Sequence, residues 1–508
     1  MKILEKSLLI LLLVFWVVAC NNDDNGDADP DGDTGDETVT LDNEINAFVW
    51  SAMNTWYLWQ DEVNDLADNR FADQEAFFTY LNGFPTPEGL HNAVLSPKDR
   101  FSVIVEDYDV LFNAFSGVAT TNGVEFVLTR PPEGGNAVIG VVRYIIAGSD
   151  AEAKGVQRGD IFYAIDGTAL FAETDTNGSI TNSNLNLLDP SSYTLNFATI
   201  ADGATTPNGI DIMLNKTELT ENPILISKTL DVGGTKIGYV MYNSFVSNFD
   251  EELNNAFGRL KDDGVAELVI DFRYNGGGSV QSAIRLSSMI TGQFTGEIFA
   301  QERWNPKWDI VLGDNSTFVD AIDETPLNSL NLDKVYIIAT DDSASASELV
   351  MNCLAPYIEV VHVGDITVGK NEFSVTLVDN PTQNVPLENG DTFPFPFIVN
   401  GDETIENANP NHKYALQPLV GTSENADGFG EFTQGLTPDI PIQEVLSNLG
   451  ELGDPDEPLL AAAIADIVGS VAKSSFSEAP ENMKIKTISS STQLNPYKGI
   501  SVYDVPKK

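Results

Sequence analysis

Residues able to do chemistry are densest in DDSASASELV, residues 341–350. Ser343, Ser345 and Ser347 alternate with alanines, Glu348 follows, and an apolar run begins. Small polar runs of this kind ordinarily form loops. A serine hydroxyl is a poor nucleophile until a base takes its proton. Histidine is the commonest base, and the chain has three, His91, His362 and His412. His91 falls in a helical region and His362 in the apolar run VVHV, where a satisfied strand residue is the expected role. No Ser-His-Asp arrangement emerges. Lysine is the remaining option. Lys370 lies in VGDITVGKNEF, twenty-five positions beyond Ser345. It can accept a proton only with a depressed pKa, which apolar neighbours such as Ile366 and Val368 would favour. On spacing alone, loop serines and a solvated surface lysine fit the same residues.

The surrounding pattern gives these residues positions. From about residue 235, strand-like and helix-like segments alternate. Thr235–Tyr242 reads as a strand, Asp250–Leu260 as a helix and Val265–Phe272 as a buried strand. A glycine turn and a helix from Ser279 follow, then a strand over Lys334–Thr340, a helix to Leu354 and a strand over Glu359–Val363. This is an α/β core of β-α units. The serine run is then a strand-to-helix turn, where backbone N–H groups favour developing negative charge. Lys370 lies just past the next strand, in a turn returning toward the same end of the sheet.

The chain has 508 residues and a formal net charge of −49. The length allows roughly two to four domains. The charge argues against a nucleic-acid partner, whose phosphates would be repelled. Lys2 and Lys6 precede twelve apolar residues, Leu8–Ala19, which end at Cys20. That run has the length of a signal h-region and is too short to span a membrane. Val17-Val18-Ala19-Cys20 resembles a bacterial lipobox, which implies lipidation of Cys20 and anchoring on a membrane face. An ordinary secretory signal is the alternative. Cys353 is the only other cysteine, so a lipidated Cys20 leaves no intrachain disulfide. Residues 21–40 form an acidic tether expected to be disordered. Asp27, Asp29, Asp31 and Gly32 begin like a calcium loop, but Thr38 stands where a bidentate glutamate is needed, so no metal is expected. The acidic stretch also resembles surface-export signals of Bacteroidetes-type lipoproteins, implying a cell-envelope location.

Residues 41–115 read as a helical N-terminal region. Ile45, Phe48, Val49, Ala52, Met53 and Trp56 form one stripe, and Phe77, Phe78 and Leu81 mark a second helix. The cluster Trp50, Trp56, Tyr57 and Trp59 reads as core. Residues 116–220 alternate short strands and turns. Within them VIGVVRYIIAGSDAEAKGVQRGDIFYAIDG, 138–167, resembles a PDZ domain. Gly155 suits a helix C-terminus, Gly159-Asp160 a turn, and Ile161, Tyr163 and Ile165 a half-buried strand. The resemblance implies a groove that adds an extended peptide as a strand, near Gly123, Val124 and Phe126.

Several motifs in order resemble the carboxyl-terminal processing proteases, peptidase family S41. Ser345-Ala346-Ser347-Glu348 matches the family's "SASE", and residues 364–371, GDITVGKN, match "GEPTfGKG". Residues 271–278, DFRYNGGG, match "DLRnNpGG", and residues 435–440, GLTPDI, match "GltPDi". The resemblance spans roughly residues 116–445. It implies a multidomain α/β protein: the helical region, the PDZ-like β-rich domain, and a crotonase/ClpP-like α/β catalytic core over 221–445. It implies that Ser345 attacks a peptide carbonyl and that Lys370 serves as general base, then acid. Backbone N–H groups of Ala346 and one of the 276–278 glycines, Gly277 foremost, would hold the oxyanion. Ser343 and Ser347 read as loop residues, and Glu348 as a residue stabilising the first helical turn. Polypeptides are the implied substrates, with no cofactor. Ser374 stands where many members have a glutamine supporting the lysine, Asn371 replaces a glycine and Ile366 a proline. Two other readings remain: a degenerate homologue that holds peptides without cutting, and Ser-Lys chemistry on another amide or ester. Beyond residue 446, 458–472 looks helical through Leu459, Ala462, Ala463 and Ile467, and 473–508 looks mostly irregular.

Overall fold

Strict alternation in three buried segments organises the core. In Thr235–Tyr242, Ile237, Tyr239 and Met241 face one side while Val240 and Tyr242 face the other. Glu267–Asp271 and Lys334–Ala339 divide the same way, with Leu268, Ile270, Val335 and Ile337 on one face and Val269, Tyr336 and Ile338 on the other. A strand buried on both faces reads as a continuous apolar run and requires cover on each side. In the computed structural model, residues 39–469 and 480–494 are described, apart from 314, 384, 387–391, 394–395 and 399–404. The strands form a sheet ordered Ile224–Val232, Thr235–Tyr242, Glu267–Asp271, Lys334–Ala339, Glu359–Gly364, Ile440–Pro441. The first pair is antiparallel and every later pair parallel. Helices Asp250–Asp263, Val280–Thr291 and Ala346–Leu354 cover one face, and Pro458–Ile467 covers the other through Leu459, Leu460 and Ala463.

The expected strand at Val265 begins instead at Glu267. Gly264, at φ 73°, ends the preceding helix in the left-handed conformation, and the Val265 N–H donates to Leu260 O to close that turn. The segment over 435–440 supplies the sheet's edge, where Ile440 and Pro441 pair with Val363 and Gly364.

A second sheet runs Ala204–Asn215, Ser192–Ala201, Ile161–Ile165, Ile139–Ile145, Val124–Thr129, Ser489–Ser490. Ser149 caps the short helix Asp150–Ala153 by accepting from Glu152 N, and Gly155 leaves it at φ 77°. Ile161–Ile165 is more buried than expected. Phe162 and Ala164 are fully buried while Tyr163 is only partly so, and Phe162 meets Phe126 edge to face. The tail after residue 473 is not wholly irregular, because Ser489–Ser490 is the outermost strand.

In the N-terminal region, helix Glu44–Trp56 is capped by Asn43 and buries Phe48, Val49, Ala52, Met53 and Trp56. Gln74–Asn82 buries Phe77, Phe78 and Leu81. Trp56 stacks on Trp308 with ring centroids 4.7 Å apart, and Trp50 meets Phe71 and Phe77, as the core reading of the aromatic cluster expects. The region also contributes Val103–Val105, which pairs with Ala415–Gln417 and ties the start of the described chain to its later part. Cys20 and nearly all of the acidic tether lie outside the described residues. Among the described residues, no helix is long and apolar enough to cross a membrane.

Candidate active site

Ser345 stands at the N-terminus of helix Ala346–Leu354, after strand Lys334–Ala339. Its backbone lies at φ 56°, ψ −110°. A residue with a Cβ seldom adopts such values, which cost about 1–3 kcal/mol and persist only where the surroundings fix them. The fixing partners are visible. Ala344 N donates to Asn275 O, Ser347 Oγ donates to the same carbonyl, and Ser343 Oγ donates to Phe272 O. The two turns expected from SASE and DFRYNGGG are thus docked on each other. Ser347 lies inside the helix rather than in the loop, and Ser343 is a buried part of the turn.

Lys370 is buried, and burial pushes its amine down to about 8 against the opposing charges of Glu372, Glu348 and Asp99. Its expected apolar neighbours are only partly responsible. Ile366 is 46% exposed. Phe101 takes its place, with Lys370 Nζ 4.9 Å from the ring centroid. Arg100, next to Phe101, donates to the Val368 and Gly369 carbonyls and holds the lysine turn against the N-terminal region. No motif in the sequence pointed to Arg100 or Phe101.

Glu348 joins the serine to the lysine. Its Oε2 accepts from Ser345 N and from Lys370 N, each at 2.8 Å. Its Oε1 accepts from Gly369 N at 2.7 Å and from Thr367 Oγ1. One fully buried carboxyl group therefore sets the spacing of both backbones. Burial raises its pKa, while the hydrogen bonds from Thr367, Lys370, Gly369 and Ser345 pull it back. Sequence reading gave Glu348 only a helix-stabilising role.

Gly277 lies against Ser345. At φ 112°, a Cβ on it would fall 2.9 Å from Ser345 Cβ and 3.1 Å from Ala346 N. Both the torsion and the space demand glycine. The Ala346 N–H, at the first helical position, has no intrahelical acceptor. The Gly277 N–H differs from expectation, because it donates to Asn275 Oδ1 at 2.9 Å. Asn275 is fully buried and donates in turn to Tyr242 O. Ser374 Oγ donates to Gln417 Oε1 at 2.7 Å. His362 is a buried strand residue whose Nε2 lies 3.2 Å from Ala339 O. Val124 and Phe126 lie in strand Val124–Thr129 of the second sheet, and Gly123 is the bend residue just before it.

A buried ionic network supports the glycine turn. Arg273 pairs with Asp271 and, through two bonds of 2.7 and 2.9 Å, with Glu457. Arg158 of the second sheet's subdomain donates to Glu444 and to Tyr274 Oη, both at 2.7 Å. Arg143 pairs with Asp342, three residues before Ser345, and lies 4.7 Å over the Tyr274 ring. Burial pushes the Glu444 carboxyl up, but Arg158 and Arg273 overcome that and hold it down at about 2. Lone arginines and glutamates far apart in sequence gave no signal of this. Among the described residues, no group of three or more His, Cys, Asp or Glu could hold a metal ion.

Residues 236–386 match the model of peptidase family S41, and residues 44–103 match that of the peptidase S41 N-terminal domain. The chain is 24% identical over 364 residues to carboxyl-terminal-processing peptidase 1, chloroplastic, of Arabidopsis thaliana, covering 69% of this chain and 68% of the relative. It is 26% identical over 369 residues to the chloroplastic C-terminal processing peptidase of Tetradesmus obliquus, covering 68% and 71%. In fold it resembles a Bacteroides fragilis NCTC 9343 chain assigned to the S41 proteases, with a TM-score of 0.62 at 23% identity over 83% of this chain and 97% of that one. The chain is a serine-type hydrolase. Its residues 44–103 and 236–386 resemble the two domains of peptidase family S41, and the relatives named above are carboxyl-terminal processing peptidases.

Proposed function

We propose that this chain is an endopeptidase that cuts unstructured or C-terminal segments of extracytoplasmic proteins with a Ser345–Lys370 dyad. The observation carrying this reading is the shared Glu348 carboxylate, which ties the backbone of a strained, buried serine to that of a lysine whose burial favours the neutral amine. In the reaction, Lys370 Nζ takes the Ser345 Oγ proton as Oγ bonds to the scissile carbonyl carbon. Negative charge on the carbonyl oxygen is met by the Ala346 N–H at the helix N-terminus. A second donor from Gly277 requires the Asn275 side chain to release that N–H. The lysine ammonium then passes its proton to the leaving amine nitrogen as the C–N bond breaks. Water, deprotonated by Lys370, attacks the resulting ester, and Ser345 recovers its proton.

The reading assigns residues 116–220 to a PDZ-like domain, 221–445 to a crotonase-like catalytic core and 446–508 to a C-terminal extension. The strand-addition edge would be that of Val124–Thr129. Lipidation at Cys20 would hold the enzyme at the cell envelope, and a Cys20→Ser variant would lose incorporation of labelled palmitate. Ser345→Ala should lower hydrolysis of an unstructured peptide by roughly 10³-fold or more with the thermal midpoint unchanged. A fluorophosphonate probe should label Ser345 in the parental chain. Parental turnover by Ser345→Ala would refute the dyad. Absence of labelling would instead indicate a chain that holds peptides without cutting them.

A further inference from the structure

The outer edge of strand Val124–Thr129 is occupied. Ser489 and Ser490 pair antiparallel with Leu128 and Val127, and Ile488 N donates to Leu128 O at 2.8 Å. The mimicry continues on both sides. Lys486 exchanges hydrogen bonds with the Thr129 hydroxyl, at 2.9 and 3.1 Å. Ser491 Oγ accepts from Phe126 N at 3.0 Å and donates to Glu125 Oε2 at 2.6 Å. The same segment runs near the serine loop, where the Thr487 side chain acts on the Asp341 carboxyl. Antiparallel addition of an extended chain to a sheet edge is how peptides are captured by strand addition.

The segment lacks the features of a permanent strand. Its regular pairing covers two residues, Ser489 and Ser490, followed by Ser491, Thr492 and Gln493. Its apolar anchors, Ile485 and Ile488, are only partly buried. Leu494 remains 39% exposed beside a cleft of about 210 Å³. That cleft is lined by Phe126, Ile146, Lys216, Ser491 and Leu494, and reaches Gly278 of the glycine turn. The tail thus takes the edge but leaves room for a longer or more apolar occupant.

We infer that residues 484–494 are a built-in ligand of the Val124–Thr129 edge, which an incoming polypeptide must displace before it is held next to the serine loop. The inference rests on the strand-addition role proposed for this edge. It is tested on the full-length Ser345→Ala chain with a labelled peptide of the tail's own sequence, KIKTISSSTQL. In hydrogen exchange, saturating peptide should lower protection of the 488–490 amides at least tenfold while Val124–Thr129 stays protected. A Ser490→Pro substitution, which breaks the tail's pairing, should tighten binding of the added peptide at least tenfold. The inference is overturned if 488–490 stay protected at the highest peptide concentration, whatever the fate of the proline variant. It is also overturned if a folded Ser490→Pro chain binds the peptide no better than its parent. Fluorophosphonate labelling of the unsubstituted chain reports the dyad separately, so loss of labelling with intact exchange refutes only the catalytic reading.

Discussion

An amine that must act as a base near neutrality has to be kept from its proton, and at Lys370 the means is removal of water. Burial outweighs three nearby carboxylates in setting the amine near 8. In the proposed dyad the neutral form is the active one, and its share grows with pH. kcat/KM should therefore climb through a midpoint near 8 and level off above it, as a pH–rate profile will show. Lys370→Arg should be inactive across the same range, because guanidinium does not deprotonate in proteins. Glu348 works through others. Glu348→Gln turns one accepting oxygen into a donor facing backbone N–H groups, and each lost charged hydrogen bond costs about 1.5–3 kcal/mol. The expected outcome is a fall in kcat of roughly tenfold or more with KM little changed, and a lower thermal midpoint.

At the scale of elements, two tight turns at one end of the sheet make the candidate site. Each follows a parallel strand, Glu267–Asp271 or Lys334–Ala339, and each opens a helix. Neighbouring parallel strands bring their following turns together without a long-range contact having to be specified. The close approach is the cost, since Gly277 has no room for a side chain. Gly277→Ala should lower kcat about 10²-fold or more, because the added Cβ would push against Ser345 Cβ and Ala346 N and displace the proposed oxyanion donors, and it should weaken fluorophosphonate labelling. Asn275→Ala separates two roles. It removes the acceptor that holds the Gly277 N–H but also the bond to Tyr242 O, so it should lower stability whatever it does to rate.

Over the whole molecule, the network around Arg273 connects the core, the second sheet's subdomain and the C-terminal extension. Glu457 is fully buried and pairs with a fully buried arginine. Removing one partner of such a pair leaves an unpaired buried charge, typically worth about 3–5 kcal/mol. Glu457→Gln should lower the denaturation midpoint accordingly. Glu444 makes the network sensitive to acid. Its folded pKa is held at about 2, below the ordinary 4.5, so its stabilisation is complete above 4.5 and is lost as pH falls toward 2. Urea unfolding of the parental chain should weaken over that window, and Glu444→Gln should flatten the response.

The sequence alone determined what is local or repeats at short range. Alternation marked the parallel strands, the helical stripe marked Glu44–Trp56, and glycine and serine at fixed spacing marked both turns, because these patterns act within a few residues. Ser345, Ala346, Gly277 and Lys370 were singled out only through the family resemblance those motifs carry, since spacing alone fitted loop serines and a surface lysine equally well. Tertiary structure decided the rest. Which groups surround the lysine amine depends on Phe101 and Arg100 arriving from another region. That the Gly277 N–H is already bonded depends on one side-chain torsion of Asn275. That a serine-rich tail lies along Val124–Thr129 depends on an edge more than 350 residues earlier in the chain. Contacts at such separations leave no period in a sequence, and only packing fixes them.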